Sequence, residues 1–473
     1  MYEDLRSFLA VLEQRGLLSR ITRPVEKDWE LAAICRVNFQ SVPDADRTAL
    51  MFTNITGCEV PLVAGVLGGS EAIYAAALEV PIDQVLEKWT HGTQNPIPPA
   101  LVEWGPCQEN VQIGGSIDLN LFPHSVWTAG QDAGDYITCP CVISNDPETG
   151  TGNVGTYRLQ IKGRNRMGMM VEPRHGLAQH VGRNEAAGRD TEVAIVIGAD
   201  PIFSLVSVAS FPHGQDEMAI AGGIRGGAVP VVRCRTVDLQ VPATAEIVIE
   251  GRLPAGLREE EGPFGEYSGY MGDSGRNYVV EVTAITFRNN PIYQSFVSQM
   301  PPSESSCIRR LGRSMTVFNH LRYTLGLPVT DVTFPETSGA GPFLLIALKK
   351  AYDGQPVQAM HGAWSVDPSL GKFTIVVDDD IDIRDPAAVD WALAWRVQPA
   401  RDVRIVEGTA PLGLDPSQPR DGFGTPPLRL SSKLGIDATR KGPYPPLSVP
   451  PNDHLDKVRA IWAEYGIRPA PKT

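Results

Sequence analysis

Two glutamates five residues apart, Glu261 and Glu266, stand in the stretch Glu259-Glu-Glu-Gly-Pro-Phe-Gly-Glu-Tyr-Ser-Gly269. Pro263 removes a backbone donor and fixes φ, and Gly262 and Gly265 permit conformations that other residues resist. A shaped loop is expected there, rather than a helix or a central strand. A bend of this kind can turn both carboxylates toward one point, and like charges brought together make one of them a poised acid. The competing reading is an acidic turn in solvent. A second chemically suggestive stretch is Thr151–His180. Residues 156–161 alternate in polarity, 162–165 form a turn and 166–171 return, which predicts a hairpin with Arg158 in its first strand. A guanidinium in that place must face water, a structural carboxylate or an anionic ligand. Asn153, His175 and Glu217 offer nitrogen and oxygen donors for a metal, although a lone histidine is as readily a hydrogen-bonded one.

The elements that must position these groups divide the chain into unlike parts. Leu5, Phe8, Leu9 and Leu12 fall at helical spacing before Gly16, so residues 4–15 are expected to form an amphipathic helix. Short apolar strands at 49–54 and 61–66 and a helix at 82–89 complete a small α/β unit, which a Pro-rich linker (94–105) closes. From Cys107 to Met300 short strands with glycine turns predict a barrel or sandwich. Neither a P-loop nor a dinucleotide fingerprint occurs, and Ala221-Gly-Gly-Ile-Arg-Gly-Gly227 reads as a tight turn before it reads as a phosphate cradle. Residues 303–410 alternate helix and strand, an α/β pattern. Its Asp378-Asp-Asp380 run reads as a solvated strand end, with Mg²⁺ as the lesser alternative. Pro443–Pro451 then leads into a terminal helix, 453–465, with one apolar face suited to a neighbouring subunit.

Composition narrows the partners. The 473 residues carry a net charge of −13, which repels nucleic acid and anionic membrane and leaves a small molecule as the expected partner. No run of eighteen apolar residues and no basic-then-apolar start occurs, so a cytoplasmic location is expected. The seven cysteines are scattered and odd in number, which predicts reduced, mostly buried thiols; Cys139-Pro-Cys141 lacks a second pair at zinc spacing.

At the chemically suggestive stretches the sequence resembles the UbiD family of prenylated-flavin-dependent (de)carboxylases. The likeness is carried by Asp4-Leu-Arg-Ser-Phe-Leu9, Asn153-Val-Gly-Thr-Tyr-Arg158, Glu217-Met-Ala-Ile-Ala-Gly222, Val241-Pro-Ala-Thr-Ala-Glu-Ile-Val-Ile-Glu-Gly251, Glu261-Gly-Pro-Phe-Gly-Glu266 and Ser432-Lys-Leu-Gly-Ile-Asp-Ala-Thr439. These motifs follow in order over nearly the whole chain.

The resemblance implies an α+β multidomain fold: an N-terminal α/β domain (1–105), a split β-barrel that binds prenylated FMN (106–302), an α/β oligomerisation domain (303–445) and a C-terminal helical extension (446–473). It implies Arg158, Glu261 and Glu266 as catalytic residues. Asn153, His175 and Glu217 are implied as ligands of Mn²⁺ (or Mg²⁺), which holds the cofactor phosphate, with His180 as the alternative histidine and K⁺ as a companion ion. Arg174, Ser207 and Ser210 are implied to line the cofactor. The reaction implied is reversible, non-oxidative decarboxylation of an aromatic or heteroaromatic, even polycyclic, acid, with the flavin as electron sink and Glu266 returning a proton. A phenolic or polyprenyl-hydroxybenzoic acid is the second substrate reading, and a catalytically silent flavin-binding assembly subunit is the reading of another class. Met300, Arg309, Arg313, His320, His361 and Trp364 are the expected pocket residues. A flavin prenyltransferase would supply the cofactor, and the chain would form a homodimer or homohexamer.

Overall fold

The structure is a computed structural model that describes residues 2–173, 175–209, 211, 214–418 and 430–467. The expected first helix forms at Leu5–Gln14, capped by the Asp4 carboxylate, which accepts from the Ser7 N–H at 2.8 Å, and followed by Gly16 at φ +69°. Its buried residues are the four that the helical spacing selected, Leu5, Phe8, Leu9 and Leu12.

Three larger sheets organise the chain, and in each the buried side chains lie on its packed faces. A four-stranded sheet in the order Leu18–Ile21, Ala49–Phe52, Leu62–Ala64, Tyr293–Gln294 draws in a strand from more than two hundred residues downstream. A ten-stranded sheet is built on the long strand Gly275–Phe287, which pairs with Arg166–Met169, Ile247–Leu253, Arg258–Glu261 and Asn110–Ile113. Its path runs from Tyr136–Ile137 to Gly152–Gly155 without closing on itself among the described residues. The third sheet, ordered Val329–Thr333, Phe343–Leu348, Phe373–Asp378, Ser431–Ala438, Val403–Thr409, is parallel at its centre and antiparallel at both edges. A mixed α/β multidomain fold results.

The helix Glu304–Asn319 leads from the second sheet into the third, and its first residue ties it to the first: Glu304, fully buried, accepts from the backbone N–H of Gly65 at 2.7 Å and of Leu67 at 3.0 Å.

Several expectations are corrected. The Ala221–Gly227 run is not a turn: it continues the helix Glu217–Arg225, and only Gly226, at φ +80°, ends it. A Cβ at Gly223 would lie 2.3 Å from the Gly92 carbonyl oxygen, so glycine there lets the helix Val85–Gln94 approach. The Asp378–Asp380 run is not merely a solvated strand end, and among the described residues it forms no metal-holding group. Buried Arg396 donates to Asp378 at 2.9 Å and in two bonds to Asp380 at 2.8 Å, and Arg440 also pairs with Asp380. The terminal helix ends at Ala460 and gives way to a 3₁₀ turn at Trp462–Tyr465; none of the residues of Asn452–Ala460 is buried in the single chain. Five of the seven cysteines are buried and none is in a disulfide. Among the described residues, no helix is long and apolar enough to cross a membrane.

Candidate active site

The hairpin forms as expected, Leu159–Ile161 against Arg166–Met169, but Arg158 stands just before its first strand, in the irregular segment 156–158. That departure from the ladder frees its side chain to turn inward. The 259–269 stretch is likewise part strand: Arg258–Glu261 runs along the long strand, with Glu261 opposite Gly275, and the bend begins at Gly262. Strand and bend together aim the two glutamates at Arg158. Its Nε and Nη2 donate to the two oxygens of Glu261 at 3.0 and 2.9 Å, and its Nη1 donates to Glu266. All three side chains are almost wholly buried. The acidic-turn reading is therefore wrong for Glu261 and Glu266, whose partner is a cation more than a hundred residues away.

Residues beyond those expected hold this arrangement. Asn277 donates to Glu261 at 2.9 Å. Asp132 accepts from the N–H groups of Gly265 (3.1 Å), Trp127 (2.9 Å) and Thr128 (2.6 Å), pinning the backbone that carries Glu266. A Cβ at Gly272 would lie 3.0 Å from Arg158 Nη1 and 3.2 Å from Glu266 Cγ, so any larger residue there would crowd the pair. Burial lifts the Glu266 carboxyl above its ordinary pKa against the opposing pull of Arg158 and Arg309.

Glu266 lines two adjoining spaces. One is a cavity of about 310 Å³ that also takes in Arg158, Asn153, His175, Ser207 and Glu217. The other, about 860 Å³, lies toward Met300, Gln299 and Tyr270. Asn153 comes from the strand Gly152–Gly155, and Glu217 opens its helix, where its Oε2 accepts from Val154 N–H at 3.1 Å. His175 caps the start of Gly176–Ala186, edge-on to Tyr157 at 5.6 Å between ring centres. His180, in contrast, is buried against the Ser144 hydroxyl at 3.0 Å and faces a smaller cavity of about 190 Å³, which Asn153 and Glu217 also line. Ser207 is buried, 2.7 Å from the Thr156 hydroxyl. Arg174 and Ser210 lie outside the described residues.

These donors suit a divalent cation. Burial lifts the Glu217 carboxyl to about 7, a cost that a cation at the same point would reverse. Among the described residues no group of three His, Cys, Asp or Glu could hold a metal, so this set would depend on the amide of Asn153. Of the expected pocket residues, Arg309 and Arg313 line the 310 Å³ cavity with Arg158, and Met300 lines the 860 Å³ one. His320, His361 and Trp364 line neither. They lie in the third sheet's layer, where His361 packs against Trp364, Trp364 donates to Thr374 at 2.9 Å and His320 lies 3.3 Å from Ser365.

The chain matches three family domains, described as the N-terminal domain (residues 9–91), the Rift-related domain (100–301) and the C-terminal domain (306–438) of 3-octaprenyl-4-hydroxybenzoate carboxy-lyase. It belongs to the UbiD family. An uncharacterized protein from Synechocystis sp., sll0936, is 34% identical over 505 residues, covering 99% of this chain and 97% of its own. Among solved structures, the UbiD-class enzyme HmfF from Pelotomaculum thermopropionicum in complex with FMN superposes with a TM-score of 0.86 at 36% identity, over 98% of this chain and all of that one. An evolved dimeric form of HmfF holds prenylated FMN; it is 35% identical with a TM-score of 0.84, over 96% and 98% of the two chains. The vanillic acid decarboxylase of Sedimentibacter hydroxybenzoicus, in its closed form, is 30% identical with a TM-score of 0.86, over 98% and 99%.

Proposed function

We propose that this protein is a carboxy-lyase that removes CO₂ from an aromatic or heteroaromatic acid with prenylated FMN, and that runs in reverse at high CO₂. The observation that carries the reading is the Arg158 guanidinium held by Glu261 and Glu266 at the wall of one buried cavity. When bound, prenylated FMN supplies the electrophile that takes up the electron pair left by CO₂. The chain's own residues do the rest. Arg158 keeps one N–H on each of Nη1 and Nη2 beyond its two glutamates, enough to orient a carboxylate without gripping it. Glu261 holds Arg158 in register. Glu266, reaching both spaces, delivers the proton that replaces CO₂ on the substrate carbon.

In this reading Asn153, His175 and Glu217 hold Mn²⁺ or Mg²⁺ for the cofactor phosphate, and K⁺ accompanies it on the Ser207 side. His175 is preferred to His180 because it lines the same cavity as Arg158. A phenolic acid is the second substrate reading, favoured by the likeness to vanillic acid decarboxylase. A homodimer or homohexamer joined through the unburied helix Asn452–Ala460 and a flavin prenyltransferase as cofactor supplier complete the proposal. The test is a screen of aromatic acids for CO₂ release by protein made together with a flavin prenyltransferase. Release from at least one acid is expected; a cofactor-loaded protein inert toward all of them overturns the reading.

A further inference from the structure

We infer that the larger of the two spaces beside Glu266 is a proton port: a way in from bulk water, separate from the cavity for acid and cofactor, through which the Thr128 hydroxyl returns to Glu266 the proton that each turnover removes. The inference rests on the carboxy-lyase reading above. Among the described residues, Glu266 alone lines both spaces; of these two, Arg158, Asn153, His175 and Glu217 line only the 310 Å³ cavity. The 860 Å³ space opens outward instead, past the exposed residues Gln131, Tyr270, Asp273 and Met300. Thr128, half-buried, lines it too, and its hydroxyl lies 2.7 Å from where a Cβ on Gly265, the residue before Glu266, would stand. The Asp132 carboxylate accepts from Thr128 N–H at 2.6 Å and from Gly265 N–H at 3.1 Å, which fixes the two segments side by side. The Thr128 hydroxyl itself accepts from Gln299 Nε2 at 3.2 Å, leaving its own O–H for another acceptor.

Each turnover breaks the bond to CO₂ and forms a C–H bond with the Glu266 proton, so Glu266 ends it as a carboxylate and must take a proton back before the next. The 310 Å³ cavity is a poor route for that proton. Acid and cofactor occupy it, and water let in beside the reacting carbon would weaken the charged contacts by which Arg158 orients the acid. The port removes the conflict, because it reaches the same carboxyl without entering that cavity. Water hydrogen-bonded to Thr128 passes one proton to Glu266 and takes one from bulk solvent, so one proton is drawn from solvent for each CO₂ released. In the carboxylation direction Glu266 sheds its proton by the same route. Burial raises the Glu266 carboxyl, which favours keeping the returned proton until the next acid arrives.

The test alters the port and leaves Arg158, Glu261 and Glu266 in place. Met271 lines the space and its backbone pairs with Gly265, so Met271→Trp adds bulk there. Thr128→Val keeps the shape and removes only the hydroxyl, and it serves alone if the tryptophan variant does not fold. The first readout needs no turnover. In the full chain loaded with ordinary FMN and saturated with benzoate, time-resolved infrared follows deuterium exchange at the Glu266 carboxyl after mixing into mildly acidic D₂O, the band being assigned by its loss in Glu266→Gln. Wild-type exchange is expected to run at one rate with or without benzoate, and the variants to slow it by roughly a hundredfold, the lower end of what positioned proton transfer contributes. Exchange that benzoate slows in the wild type, or that neither variant slows, overturns the inference. In the holoenzyme the variants are expected to release a first CO₂ per site at the wild-type rate and then to turn over more slowly by the same factor. Wild-type steady-state rates overturn the inference, as does a raised KM with no such burst, which would make the space the entry of the acid. The expected exchange pattern with no CO₂ released from any acid fails the carboxy-lyase reading and leaves the port.

Discussion

Glu266→Gln separates the chemistry of the candidate site from its architecture. The amide still offers an oxygen to Arg158 Nη1, and the two bonds from Arg158 to Glu261 at 3.0 and 2.9 Å remain, so the guanidinium is not stranded. Loss of one charged contact should lower stability by about 2 kcal/mol. A positioned acid is worth roughly 10²–10⁴ in rate, about 3–5 kcal/mol of barrier, so turnover should fall by that factor with flavin content unchanged. The pH profile adds a second signature. Because burial raises the Glu266 carboxyl, its donor form persists above the ordinary glutamate range and is lost as pH rises through the folded-state value. Wild-type turnover should therefore fall on the alkaline side, and the Gln variant's residual turnover should lack that limb. The assay is CO₂ release alongside product formation in deuterated water, where the wild type should place one deuterium at the carbon that carried the carboxylate. Near wild-type turnover by Glu266→Gln would refute the assignment and make Glu261 the next donor to test.

Glu217→Ala should purify without its divalent ion and with little flavin while Arg158, Glu261 and Glu266 are untouched, as read by elemental analysis and flavin absorbance; normal contents would move the metal elsewhere. The same measurement on His175→Ala distinguishes it from His180, since normal contents there would shift the ligand to His180. At the domain junction, burial raises the Glu304 carboxyl to about 7 despite the N–H groups it faces. A raised folded-state value means stability that is full below the unfolded glutamate range and lost as pH rises toward and through about 7, a span of about 3 kcal/mol. Glu304→Gln should flatten that dependence in denaturant midpoints taken between pH 5 and 8; parallel curves for variant and wild type would contradict it.

Local signals in the chain were read well where a single element decides the outcome. The spacing of Leu5, Phe8, Leu9 and Leu12 gave a helix because one face of ten residues is buried, and the 162–165 turn gave the hairpin because both strands lie next to it. What failed depends on partners distant in sequence. Glu259–Glu261 was expected in a loop because Gly262, Pro263 and Gly265 follow it, yet the long strand Gly275–Phe287 supplies the ladder and Arg158 supplies the charge. The glycines at 222–223 looked like turn residues because nothing in their own stretch shows the helix Val85–Gln94 that must approach them. Asp378 and Asp380 looked solvated because nothing in their own run shows that the following helix, Pro386–Arg396, returns Arg396 to them. The site was legible in part, through Glu261, Glu266 and the donor set at Asn153, His175 and Glu217. Asp132 and Asn277 carry no motif and act through backbone and carboxylate contacts that folding creates. His320, His361 and Trp364 were expected in the pocket from the stretches in which they lie, and packing places them in another layer.

The central claim, that these residues serve decarboxylation through prenylated FMN, is tested most directly by measuring CO₂ release from a panel of aromatic mono- and diacids by two preparations of the same protein. One is made together with a flavin prenyltransferase and exposed to oxygen; the other is loaded with ordinary FMN. CO₂ release by the first and almost none by the second is the result expected, because only the prenylated flavin supplies the electrophile. Equal release by both preparations, or none by a fully loaded first preparation, would contradict it.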